Sequence, residues 1–324
     1  MRAGGLPEPA APRRLGGGEG VCMKGLFLDA NDESAAALRA ARRPGDPEIT
    51  VRLGDVTPDA LPGLLAGYGF VLNDHSFMPT EAMRRCAGVR HVVFLGTGAR
   101  SYMNLEELAE LGIQVHTIKG YGDTAVAEHT VALLFAAARG VAAMDRGVRA
   151  GGWPRTEGVQ LRGKTLGLIG YGGIGAEVAR IARGVGMRVL AWNRTPREVE
   201  GVTFVDLDRL LAESHAVSLH LLLTDETRGF LSAGHIARMR PGALLVNTAR
   251  GALVDEAAML EALHSGRLGH AALDVFAQEP LPPGHPLTRL ERVTLSAHSA
   301  FHTPEAWETL LSRALDIARR VART

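Results

Sequence analysis

Cys22 and Cys86 are the only cysteines among 324 residues. Two thiols so far apart support neither a disulfide framework nor a cysteine-based metal knuckle, so both read as reduced thiols and no metal site is expected. Lysine is nearly as scarce, at Lys24, Lys119 and Lys164, and no function follows from the arginine that replaces it. Neither sign of charge is in excess: 36 basic and 35 acidic side chains leave a formal charge of +1. That balance gives no electrostatic case for nucleic acid or an anionic membrane. Long apolar runs are missing too. The longest, around Val131 to Ala138, falls well short of the ~18 residues of a membrane span and suits a buried helix. Residues 1–22 are rich in Gly, Pro and Arg and lack the apolar core of a secretory signal, which predicts a disordered N-terminal tail. What remains is an ordinary soluble composition, 46% hydrophobic and 22% charged, long enough for two domains. A cytoplasmic location is expected.

Glycine is present in one telling arrangement. Lys164 to Thr195 reads KTLGLIGYGGIGAEVARIARGVGMRVLAWNRT. Thr165–Ile169 has the length and composition of a buried strand, Ala176–Val185 an apolar-faced helix closed by Gly186, and Met187–Trp192 a second strand. Between the first strand and the helix, Gly170, Gly172 and Gly175 fall at G-x-G-x-x-G spacing, with Gly173 and Ile174 inside the turn. In a strand–turn–helix–strand unit each glycine has a physical reason. Gly170 permits the tight turn, Gly172 lets the backbone approach a pyrophosphate, and Gly175 lets helix and strand pack closely. The helix N-terminus then offers N–H groups and the positive end of its dipole to phosphate.

The rest of the chain alternates in the same way. Strands are predicted at 25–30, 49–52, 69–72, 91–95 and 113–117 with helices between them, which gives a small flavodoxin-like parallel sheet covered on both faces. A long helix, Asp123–Ala150, capped by Asp123 or Thr124, precedes the glycine unit. After that unit, strands near 202–205, 217–221, 243–247, 270–274 and 293–296 complete a Rossmann-type doubly wound sheet. A final amphipathic helix runs from Pro304 to Val321.

Three strand ends carry candidate chemistry. Arg250 follows the strand in LLVNTARGALVDE, where its guanidinium is suited to clamp a carboxylate through two parallel bonds. Asp274 and Glu279 follow the next strand, in DVFAQEPLPPGHPL. His298 follows the last, in SAH. Ligands of open α/β sheets collect at such ends.

Together the motifs GYGGIG, HLLLTDETRGFL, VNTARGALVDE, DVFAQEPLPPGHPL and SAH, in this order, make the chain resemble the D-isomer-specific 2-hydroxyacid dehydrogenases, from about Met23 to the C-terminus. The glyoxylate/hydroxypyruvate reductases are the most similar branch. The resemblance implies an enzyme that interconverts a small 2-keto acid and its D-2-hydroxy acid by hydride transfer. Arg250 would bind the substrate carboxylate and polarise the carbonyl, His298 would be the acid/base, and Glu279 its hydrogen-bonded carboxylate. Asp274 would hold the nicotinamide carboxamide, with His220 and Thr248 also lining the cofactor. The substrate loop would be Gly96–Arg100, its backbone at Thr97 and Gly98 holding the carboxylate, although Arg100 replaces the family's usual acid and has no assigned role. His75, Ser76, Phe77, Phe301 and His302 would line the side-chain pocket. The family's plan is discontinuous: 23–122 with 300–324 for substrate, 123–299 for dinucleotide, and pairing into a homodimer through the 123–150 helix. Corepressors on the same fold retain the catalytic triad, so a nucleotide-sensing scaffold stays as the alternative.

The cofactor expectation comes from one position. NAD-binding units commonly end their second strand with a carboxylate that accepts from the ribose 2′-OH. Here that place holds Asn193, followed by Arg194 and Thr195. Loss of the carboxylate removes repulsion of a 2′-phosphate, and Arg194 supplies a planar cation to bind one. NADP(H) is therefore expected to be preferred, with NAD(H) possible.

Overall fold

The computed structural model describes residues 23–323, so the tail expected at residues 1–22 lies outside the described residues. The first unit alternates β1 (Gly25–Ala30), α1 (Asp32–Ala41), β2 (Ile49–Leu53), α2 (Leu61–Leu64), β3 (Phe70–Asn73), α3 (Thr80–Met83), β4 (His91–Phe94), α4 (Leu105–Glu110) and β5 (Gln114–Thr117). The chain then crosses through α5 (Asp123–Arg139) and α6 (Val141–Arg149). The second unit holds β6 (Thr165–Ile169), α7 (Gly173–Gly184), β7 (Arg188–Trp192), β8 (Val202–Phe204), α8 (Leu207–Glu213), β9 (Ala216–Leu219), α9 (Ala233–Arg238), β10 (Ala243–Asn247), α10 (Glu256–Ser265), β11 (Leu268–Leu273) and β12 (Val293–Leu295). Helix α11 (Pro304–Val321) follows.

The strands form two parallel sheets, ordered β2-β1-β3-β4-β5 and β12-β11-β10-β9-β6-β7-β8. The first is the flavodoxin-like order and the second the doubly wound one. Residues in β1, β3, β6, β9 and β10 are buried throughout, as strands covered on both faces must be. Helix α11 crosses back to the first sheet. Its stripe of Trp307, Leu310, Leu311, Ala314 and Leu315 joins Phe27, Phe70, Leu72 and Val93 in one core. Thr303 starts that helix by accepting from Ala306 N–H (3.2 Å).

Three sequence expectations need correction. The helix expected from Asp123 to Ala150 is two helices, bent by 67° at Gly140. Gly140 sits at φ +63°, a left-handed conformation that ends α5, and Thr156 fills the space where a Cβ would project. The residue that starts α5 is Gly122, not Asp123 or Thr124, and no side chain caps it. The glycine-unit helix begins three residues early, at Gly173, because the turn glycines themselves form its first turn.

The second sheet reverses its winding direction between β6 and β9. That switch point is where a crevice opens at the strand ends, and Gly170 and His220 are the residues that leave it. Among the described residues no single helix is long and apolar enough to cross a membrane, and no group of three or more potential metal ligands comes together.

Candidate active site

The glycine turn is shaped as a phosphate cradle. Gly170 takes φ +96°, and a Cβ on it would sit 2.6 Å from the carbonyl oxygen of His220. A Cβ on Gly175 would sit 2.6 Å from the carbonyl oxygen of Gly170, so strand and helix approach as closely as backbones can. Gly172 is extended and looks onto open space: nothing lies within 4 Å of where its Cβ would be. No side chain caps α7, which leaves its first N–H groups for an anion. At Gly173 the missing Cβ makes room for the Asp123 carboxylate from the start of α5. Ile174, half-buried, anchors the turn to the apolar layer beneath. The His220 ring bonds the Ser218 hydroxyl (2.9 Å), and burial pushes its pKa down to about 4, so it stands neutral at the switch point. These features fit a dinucleotide.

The adenosine end follows from Asn193. Its side-chain oxygen accepts from Tyr171 N–H (3.3 Å) and its amide donates to the Thr195 carbonyl (2.8 Å). Asn193 thereby ties the strand end to the glycine turn on one side and to its own loop on the other. Arg194 is exposed, its guanidinium 3.7 Å from the Glu226 carboxylate.

The strand ends of β11 and β12 bring the acid/base candidates together. His298 Nδ1 and Glu279 Oε2 are 2.6 Å apart, and Phe276 N–H donates to the other carboxylate oxygen (2.8 Å). Burial raises the Glu279 pKa. The bonds from His298 and Phe276, with the charges of His298 and Arg250, outweigh it and hold the carboxyl below its usual range. An ionised Glu279 can only accept, so Nδ1 carries the proton of this bond. His298 is the one non-glycine residue at positive φ among the described residues, at +50°.

Asp274, at the end of β11, is the hub of several bonds. Its carboxylate has no exposed surface. It accepts from Ser296 Oγ–H (2.6 Å), Ser299 N–H (3.0 Å) and Ala300 N–H (3.0 Å). Burial opposes its charge, but these donors together with His129 hold its pKa down at about 2.

Across the crevice, the Arg250 guanidinium lies directly on Gly98, and a Cβ there would collide with it. The turn that carries Arg250 is fixed by Asn247, whose amide donates to the Arg250 carbonyl (2.9 Å) and whose oxygen accepts from Ala249 N–H (3.0 Å). Thr248 bonds Thr130 on α5 through their hydroxyls (2.8 Å). Thr97 is exposed beside Gly98, where the loop from the first sheet meets the arginine from the second. Two phenols that sequence reasoning did not single out stand nearby. A Cβ on Gly96 would be 3.5 Å from Tyr121 Oη, and burial pushes the Tyr121 pKa up to about 12. Burial likewise raises that of Tyr102, against the nearby charge of Arg250.

Several other expected residues are engaged by neighbours. Arg100, which had no role, forms an exposed forked pair with Glu106. The His75 ring bonds Asp74 (3.2 Å) and Asp55 (3.1 Å), and the Asp74 bond leads in raising its pKa to about 9. Ser76 is buried and Phe77 is exposed. His302 packs on Phe301 and edge-on to Trp307, with ring centroids 4.4 and 5.5 Å away.

The model of a family described as D-isomer specific 2-hydroxyacid dehydrogenase, NAD binding domain, matches residues 131–300. The chain is 44% identical over 216 residues to a glyoxylate reductase of Aeropyrum pernix, covering 63% of this chain and 64% of that one. It is 33% identical over 270 residues to a glycerate dehydrogenase of Methylorubrum extorquens, covering 80% and 84%. The chain spans between half and two thirds of the length of the first curated relatives it matches. A crystal structure of a Thermus thermophilus protein superposes with a TM-score of 0.81 at 36% identity, covering 90% of this chain and 94% of that one. With a domain built for a nicotinamide dinucleotide and this arrangement of strand-end residues, the chain belongs to the D-isomer-specific 2-hydroxyacid dehydrogenases.

Proposed function

We propose that this protein reduces a small 2-keto acid, of the glyoxylate or hydroxypyruvate type, to the D-2-hydroxy acid, with NADPH preferred over NADH. The observation that carries the reading is the meeting of Arg250 with the Gly98 backbone on one side of a crevice that holds the His298–Glu279 pair. The substrate carboxylate binds Arg250 and the N–H groups of the 97–98 loop, and the guanidinium also draws electron density from the adjacent carbonyl. A nicotinamide dinucleotide held through its pyrophosphate at the glycine turn would supply the hydride for the carbonyl carbon. His298 donates its proton to the carbonyl oxygen as negative charge develops there, and Glu279 stabilises the imidazolium that makes this donation possible. In the reverse direction His298 accepts the hydroxyl proton.

Gly170, Gly172, Gly173, Ile174 and Gly175 would hold the pyrophosphate, while Asn193, Arg194 and Thr195 would take the ribose 2′-phosphate. His220 and Thr248 border the nicotinamide half. The substrate domain comprises 23–122 and 300–324 and the dinucleotide domain 123–299. Two copies pair as a cytoplasmic homodimer, with no nucleic-acid or membrane partner.

Turnover of glyoxylate, hydroxypyruvate and pyruvate by the purified chain, followed by NADPH oxidation, tests the reading. Reduction of at least one is expected, and failure with all three under NADPH and NADH overturns it. For the cofactor, Arg194→Ala is expected to erode the NADPH preference in kcat/KM by about 1.5–3 kcal/mol, the range for a hydrogen bond to a charged group. Equal or better use of NADH by the unaltered enzyme removes that part.

A further inference from the structure

Helix α5 carries a histidine that the reaction does not touch. His129 Nε2 lies 2.9 Å from Ser296 Oγ and 3.5 Å from Asp274 Oδ1. The direction of this chain of bonds is fixed by chemistry. Asp274, held well below the usual carboxylate range, can only accept, so the short bond from Ser296 uses the hydroxyl proton. The Ser296 oxygen is then an acceptor, and His129 must present Nε2–H to it. The relay runs from His129 Nε2–H to Ser296 Oγ–H to the Asp274 carboxylate.

That carboxylate holds the acid/base turn. It takes the N–H groups of Ser299 and Ala300, and the Asp274 carbonyl takes the N–H of His298 (2.7 Å). Three consecutive amides are thus fixed by one buried residue. They hold His298 at φ +50°, which a residue with a Cβ keeps only where its surroundings over-determine it. The 2.6 Å approach of His298 to Glu279 depends on that backbone geometry. Without His129, the Ser296 hydroxyl loses the donor that orients it. A buried carboxylate short of donors then recruits others or protonates, and either change releases the turn.

We propose that His129 is a positioning residue for His298, acting through Ser296 and Asp274 and touching neither substrate nor cofactor. The proposal rests on the reading of His298 as the acid/base, and its test has an arm that does not need turnover. Two variants separate positioning from bulk: His129→Leu removes the donor, and His129→Gln keeps an amide donor at similar reach. The Nδ1 proton of His298, bonded to Glu279, gives a downfield proton resonance, assigned by its loss in His298→Ala. His129→Leu is expected to broaden or abolish that resonance in the cofactor-free protein. It is also expected to lower kcat about 10- to 100-fold, the usual cost of a small misplacement of a reacting group, while NADPH affinity measured by fluorescence stays within about twofold. His129→Gln is expected to restore the resonance and most of kcat.

An unchanged resonance in His129→Leu overturns the proposal, as does equal damage in both variants. If no keto acid is turned over, the proposed function fails, and the resonance arm alone still decides the role of His129.

Discussion

His298 occupies a backbone conformation that costs a side-chain-bearing residue about 1–2 kcal/mol, and the Asp274 hub supplies the bonds that keep it there. If proton transfer is its task, His298→Ala lowers kcat by about 100-fold or more with the cofactor dissociation constant unchanged. Steady-state kinetics beside a fluorescence titration check both halves, and near-native turnover in the variant refutes the assignment. Asp274 gives a second expectation, in stability. Its folded-state pKa of about 2 lies below the ordinary 3.8, so its contribution is complete above about pH 4 and is withdrawn as pH falls toward 2. The stability gap between the wild-type chain and Asp274→Asn should shrink by about 2 kcal/mol across that window in urea melts. A constant gap says the carboxylate gains nothing from its surroundings. At this scale sequence was most informative where a residue type and its strand-end position coincide, as at Arg250, Glu279 and His298. It was least informative where a role depends on an unrelated element. Nothing adjacent to His129 marks it, because its partners Ser296 and Asp274 come from strand ends more than a hundred residues away.

Helix α5 does more than cross between the sheets. Neighbouring residues on it reach two strand ends: Thr130 bonds Thr248 in the Arg250 turn, and His129 bonds Ser296 beside the His298 turn. The helix is therefore a common strut for the Arg250 and His298 turns. Its length is set by Gly140, whose role periodicity could not reveal. Apolar residues continue across it, and a lone glycine in a helical pattern is ordinarily tolerated. Only the backbone angle and the Thr156 side chain against it show why glycine is needed. Gly140→Ala is expected to destabilise the protein by about 1–2 kcal/mol through left-handed strain, with further loss from the Thr156 contact. Thermal melting checks this, and an unchanged or higher Tm rejects it. Helices α8, α9 and α10 were not legible from apolar spacing. Helices α8 and α9 have only 7 and 6 residues, too short for a clear period, although Asp206, Ser232 and Asp255 stand at the starts of all three as good caps.

For the whole molecule, alternating strand and helix patterns were enough to foresee two parallel sheets, and the glycine unit fixed which one receives the dinucleotide. The bend at Gly140 turns α6 outward, and Phe135, Val141, Val148, Trp153 and Val159 are exposed around it. Scattered exposed apolar residues are common, but five near one bend favour a covered face. Sedimentation at micromolar concentration is expected to show a homodimer, and Val148→Asp to weaken it. A fully active wild-type monomer rejects the pairing.

Helix α11 carries a consequence for how the protein is made. A ribosome delivers β1 to β5 first, yet the apolar stripe that seals their Phe27, Phe70 and Leu72 face arrives only after the entire seven-stranded unit has emerged. During that interval the nascent chain displays an unsealed sheet face, the kind of surface that holdase chaperones grip. The dinucleotide-binding unit has no such wait, since its strands and covering helices emerge together. Vectorial synthesis therefore inverts the order in which the two units can mature: the segment born first is completed last.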